Sequence, residues 1–188
     1  HAHYSFQNSQ TRSHNTIEID GTAQSWTQNL SDSASKGNID IVSNAGVSNI
    51  RAWTKATTNF THYRNVSYIK GLGSFMVVTD KVVPSNTSSH TYRQNWHCAP
   101  YSNPSIASNV HDTGKTAYAS GSNLIIAQAY NIHNTALNTE ITATLQTGYD
   151  SSAPTTTTKY FEYKQTKSGV ATYQTVLYPV PAGATATV

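Results

Sequence analysis

Cys98 is the one cysteine among 188 residues, so no intrachain disulfide can form and the fold must rest on packing. In Trp96-His97-Cys98-Ala99-Pro100 it reads as a small buried filler at a strand end. Charge is scarce as well. Only 11% of residues are Asp, Glu, Lys or Arg, which excludes the highly charged composition of a disordered chain. The net charge is +3, and no dense Lys/Arg cluster marks a nucleic-acid partner. No apolar run reaches transmembrane length, so no membrane span is expected. No stretch keeps a helical period, which excludes a helical bundle. Ser-His-Asp order, a phosphate loop, a Cys-x-x-Cys pair and a dinucleotide fingerprint are all missing.

What is abundant is Ser, Thr, Asn and Tyr, beside a hydrophobic content of 37%. That balance suits an all-β surface rich in hydroxyl and amide groups. Strands are expected at 15–20, 38–43, 47–53, 60–69, 74–83, 89–97, 106–111, 115–119, 123–130, 141–147, 159–164 and 170–178. The segment 74–83, centred on Phe75-Met76-Val77-Val78, reads as a strand covered on both faces. Gly71 to Gly73 mark a turn, 154–158 a surface loop and 179–188 a tail. About a dozen short strands separated by turns predict an antiparallel β-sandwich, all-β, forming a single domain over 1–188. The expected core includes Ile17, Ile19, Val77, Ile125 and Leu177. The chain begins at His1 without Met or a signal peptide, which reads as a processed or excised product, secreted or periplasmic.

One stretch organises the rest. In Ser13-His14-Asn15-Thr16-Ile17-Glu18-Ile19-Asp20-Gly21, Ile17 and Ile19 point one way while Thr16, Glu18 and Asp20 point the other. Asp20-Gly21 is a turn signal. His14 stands at the strand entrance, where it either caps the strand or faces a cleft. His62 and Arg64 have the same parity and share a strand face; they suit a carboxylate ligand or a cross-strand pairing. Trp96 and His97 suit the wall of a sugar groove, or a buried Trp beside a hydrogen-bonded His. His90, His111 and His133 read as surface or loop residues.

The run from Ser13 to Gly21, with Gln24, resembles the His-Asn-Thr signature of the heparinase II/III-like polysaccharide lyases. Other pieces resemble the same family in the same order. His62-Tyr63-Arg64 with Phe75-Met76-Val77-Val78-Thr79-Asp80 is similar to its His-x-Arg hairpin, whose second strand ends in Asp. Tyr92-Arg93-Gln94-Asn95-Trp96-His97 is similar to its strand ending in an aromatic-His pair. The match covers about 11–180, leaving 1–10 and 180–188 as tails.

The resemblance implies the C-terminal β-sheet domain of an enzyme that cleaves uronate-containing polysaccharide by β-elimination. The family's helical toroid, which carries the catalytic Tyr, has no counterpart here. The implied partners are therefore an acidic polysaccharide and a missing toroid, with no catalytic residue assigned in this chain. The resemblance also implies zinc, with His14 as one ligand. His1-Ala2-His3 is similar to the family's upstream His-x-His pair, but the accompanying Asp is missing. The implied metal set of His14, His3 and His1 is thus incomplete. His62, Arg64, Trp96 and His97 are the implied substrate-binding residues.

Two other readings stand beside this one. The first is a non-catalytic carbohydrate-binding or structural β-sandwich. The second is a copper histidine brace built on the amine and ring of His1.

Overall fold

The computed structural model describes residues 14–22, 40–57, 59–71, 73–98, 103–107, 110–112, 123–128, 141–149 and 157–181. Among them lie twelve strands and no helix. In chain order these are β1 (Ile17–Ile19), β2 (Asp40–Ser43), β3 (Val47–Thr57), β4 (Phe60–Ile69), β5 (Phe75–Pro84), β6 (Ser89–His97), β7 (Ser105–Ala107), β8 (Val110–Asp112), β9 (Asn123–Gln128), β10 (Thr142–Tyr149), β11 (Thr157–Ser168) and β12 (Ala171–Val180). They form a four-stranded sheet in the order β1-β6-β11-β10 and an eight-stranded sheet in the order β2-β3-β4-β5-β12-β9-β8-β7. Every pairing is antiparallel.

The two sheets meet as a β-sandwich. Ile17, Ile19, Tyr92, Trp96, Phe161 and Tyr163 of the smaller sheet join Phe60, Val78, Val82, Ile126, Tyr173 and Leu177 of the larger one in one buried cluster. Each set follows the alternation of its strand, which sends every second side chain inward. The core is unusually rich in tyrosine, and each polar tip needs a partner. Tyr173 donates its hydroxyl to the Tyr92 carbonyl at 2.9 Å, and Tyr92 donates to the Gly169 carbonyl at 2.9 Å. Burial pushes the Tyr173 hydroxyl well above the usual tyrosine range. Tyr173→Phe is expected to cost about 1–3 kcal/mol, because the Tyr92 carbonyl then stays buried without that donor. A denaturant titration checks this, and an unchanged midpoint would show that the hydroxyl contributes nothing.

The Asp20-Gly21 turn forms as its residues predict. Both have positive φ, 52° and 71°, and Thr22 N–H donates to the Ile19 carbonyl at 2.9 Å. That is the twist a tight type I′ turn requires, and Asp and Gly tolerate it best. Asp20 also ties this turn to β6. Its carboxylate accepts from Thr91 N–H and lies 2.7 Å from His90 Nδ1.

Several expectations need correction. Val77 is only half-buried, whereas Val78 is buried; Val77 has the outward parity of β5, so this segment is not fully covered on both faces. Glu18, expected on the solvent side, is also buried, beside Arg93 Nη1 at 3.3 Å. His90 is a strand residue, packed edge-on against Phe60 at 4.8 Å, and not a surface group. His111 lies in β8, while His133 lies outside the described residues. Thr157 and Thr158 open β11 opposite Tyr149 and Gly148 and do not belong to a loop. Pro179 and Val180 continue β12 against Leu124 and Asn123, and Val180 is buried, so the tail starts later. The expected strand at 106–111 is a β7–β8 hairpin, and the one at 115–119 falls outside the described residues.

Candidate functional site

The β4–β5 hairpin places the first charged groups. Each strand has ten residues, flanking the positive-φ Gly71 and Gly73. Pairing runs without slippage from Ile69↔Phe75 to Phe60↔Pro84. Arg64 therefore stands directly opposite Asp80, with His62 one diagonal step away. All three have inward parity.

Asp80 is completely buried. One carboxylate oxygen accepts from Arg64 Nε and lies within hydrogen-bond distance of His62 Nε2, both at 2.7 Å. The other accepts from Arg64 Nη2 at 2.8 Å and Gln94 Nε2 at 2.7 Å. Burial by itself would raise the Asp80 pKa, but these hydrogen bonds and the Arg64 charge overcome it and hold the carboxyl far below the usual range. Behind it, Gln94 Oε1 accepts from Gln128 Nε2 at 2.7 Å and from Thr175 Oγ1 at 2.9 Å. A buried carboxylate is thus gripped from both sheets.

Arg64 carries that grip to the surface. Its Nη1 donates to the Asn15 carbonyl at 2.5 Å, and the guanidinium lies 5.6 Å from the centre of the Trp96 ring, within cation–π range. Asn15 in turn accepts the His97 backbone N–H on its side-chain oxygen at 2.7 Å. Asn95 N–H donates to the Thr16 carbonyl at 3.0 Å. His97 stacks on Tyr160 with ring centres 4.8 Å apart. Three separate stretches, His14-Asn15-Thr16, His62-Tyr63-Arg64 and Trp96-His97, are therefore bonded into one cluster.

Within the cluster the residues divide. His62 and Trp96 are buried, at 5% and 7% exposure, and form its support. His14, Arg64 and His97 are half-buried and Asn15 is exposed, so these four make its accessible edge. The carboxylate that His62 and Arg64 bind is the chain's own Asp80. Asp80, Gln94, Gln128 and Thr175 were not expected in the site. The signal for Asp80 was available, since two strands of equal length around a glycine turn pair Arg64 with Asp80. No comparable local signal marks Gln94 or Gln128, which meet only across the sandwich.

His1 and His3 lie outside the described residues. Among the described residues no group of three His, Cys, Asp or Glu gathers to hold a metal. Zinc needs three or four such ligands, so His14 and its described neighbours do not by themselves fit it.

The family model described as heparinase II/III-like, C-terminal, matches residues 7–180. The chain belongs to the heparinase II/III-like family. Its fold is similar to the crystal structure of heparan sulfate lyase HepC from Pedobacter heparinus, with a TM-score of 0.71 and 18% identity over 94% of this chain. It is similar also to that of heparinase III, with a TM-score of 0.67 and 20% identity over 92% of this chain. The matches cover 25% and 24% of those two chains, so this heparinase II/III-like chain spans about a quarter of their length. No curated protein matches it.

Proposed function

We propose that this chain is the β-sandwich part of a polysaccharide lyase and contributes one wall of a site for uronate-containing polysaccharide. The observation that carries the reading is the Asn15 junction. Its carbonyl and side-chain oxygen bring Arg64 and His97 to the entrance occupied by His14.

β-Elimination needs a group that neutralises the uronate carboxylate, a base for the C5 proton and a proton donor for the leaving oxygen. Arg64 is already committed to Asp80 and Asn15, so it contributes rigidity and positive field at the edge. His14 and His97 are the imidazoles in position to meet a sugar there, as hydrogen-bond donors or charge-stabilising groups. His62 and Trp96 hold Arg64 in place from behind. The base is assigned to a tyrosine of the helical toroid that the family joins to this sheet domain.

The isolated chain is accordingly expected to show no turnover of heparan sulfate or alginate, read as ultraviolet absorbance of unsaturated uronate. Adding a separately expressed helical portion of a related lyase should restore it. Robust turnover by the chain alone would overturn the division of labour and put the base among its own tyrosines.

A further inference from the structure

The outer face of the eight-stranded sheet carries a second cluster, directed away from Asp80. Two adjacent cross-strand rows make it. Register places Trp53 opposite Tyr63 and Tyr63 opposite Lys81. One step along, Arg51 stands opposite Asn65 and Asn65 opposite Thr79. All six side chains have the same outward parity. Together with Ala52 of β3 and Arg64 of β4 they line a groove of about 330 Å³, within the size of small-ligand pockets.

The first row is an aromatic floor with a cation at its end. The Trp53 and Tyr63 rings lie 6.4 Å apart and are tilted by 39°, and Tyr63 is 43% exposed. Large aromatic surface left open on a sheet face marks a recognition surface. The second row offers a guanidinium, an amide and a hydroxyl. Asn65 Oδ1 is buried there without a hydrogen-bond partner, and a buried acceptor of this kind is costly until something donates to it. Arg51 and Lys81 make no ion pair among the described residues, and no carboxylate lines the groove. The nearest acidic residue by register is Asp40, opposite Arg51 at the sheet edge.

We propose that this groove binds an acidic oligosaccharide, separately from the edge around Asn15. The C–H face of a sugar ring packs on Trp53 and Tyr63, because an aromatic ring offers a flat apolar surface to it. A ring hydroxyl donates to Asn65 Oδ1. A carboxylate or sulfate on the sugar is met by Arg51 and Lys81. The choice of an acidic saccharide rests on the lyase reading above, while the location rests on the groove alone. A site here holds a polymer on the β-sandwich independently of the wall that meets the reacting sugar.

Calorimetric titration of the 188-residue chain with a heparin-derived tetrasaccharide tests this, with neutral cellotetraose as the comparison. Trp53→Ala and Lys81→Gln are each expected to weaken binding about fivefold or more. Lys164→Gln removes the same charge from an exposed position on the other sheet, and is expected to leave the affinity unchanged. Lys81 is exposed, so its variant keeps the test valid should Trp53→Ala misfold. No binding of the tetrasaccharide, or equal binding of cellotetraose, would overturn the proposal. So would binding that His14→Ala removes and Lys81→Gln does not, a result that leaves the reading around Asn15 standing. Groove binding by a chain that never supports turnover would sink the lyase reading and keep this one.

Discussion

Replacing Asp80 with alanine is expected to cost about 3–5 kcal/mol, the range for removing one partner of a buried charged pair. The carboxylate is completely buried and engages His62, Arg64 and Gln94. Its loss leaves the Arg64 guanidinium without its carboxylate and frees the Gln94 amide from its acceptor. Asp80→Asn is expected to be costly as well, because its amide turns an N–H₂ toward groups that are themselves donors.

The pH dependence gives the effect a signature. The native Asp80 carboxyl sits far below its ordinary value of 3.8. Its contribution is therefore complete above about pH 5 and declines as pH falls below the unfolded value toward the native one. Denaturant midpoints of the parent chain and of Asp80→Ala should differ most near neutrality and converge in acid. A gap that stays constant between pH 7 and pH 3 would show that the charge of Asp80 is not what stabilises the junction.

In the chain combined with a helical portion that restores turnover, His14→Ala is expected to lower kcat by about 100-fold, the size of effect seen when one charge-stabilising donor is removed. The fold should barely change. The main-chain bond of this turn runs from Thr16 N–H to the His14 carbonyl and does not need the ring. Thermal melting should therefore stay within about 2 °C of the parent, the low end of the shift that a 1 kcal/mol loss produces in a domain of this size. A melt lowered well beyond that, with kcat unaltered, would make His14 part of the scaffold and withdraw it from the site.

Much of the fold was legible because it depends on local periodicity. Phe60–Ile69 and Ser89–His97 carry strand-forming residues between turn signals, and both strands form with those bounds. The segments misread were those where composition and pairing disagree. Thr157, Thr158, Pro179 and Val180 look like loop and tail residues, yet each finds a partner strand. The β5 centre is a run of apolar residues with no alternation to show which face is inward, so the sequence offers no reason to place Val77 outside the core. His90 read as a surface group because nothing near it in sequence reveals Asp20, which it meets 70 residues away.

By itself the sequence determined the all-β class, the turn at Asp20-Gly21 and the candidate residues His14, His62, Arg64, Trp96 and His97. Turn chemistry and period-two alternation are written within a few residues of one another, and so are the short motifs. Only the tertiary structure decided which of those residues face solvent and which stand behind them. His62 and Arg64 share a face in either account, but whether that face meets a sugar or an internal carboxylate depends on what lies across the sandwich. Asp80 is reached through the hairpin, Gln94 from the opposite sheet and Asn15 from β1's entrance, and such contacts follow from packing two sheets together, a long-range choice that no local pattern encodes.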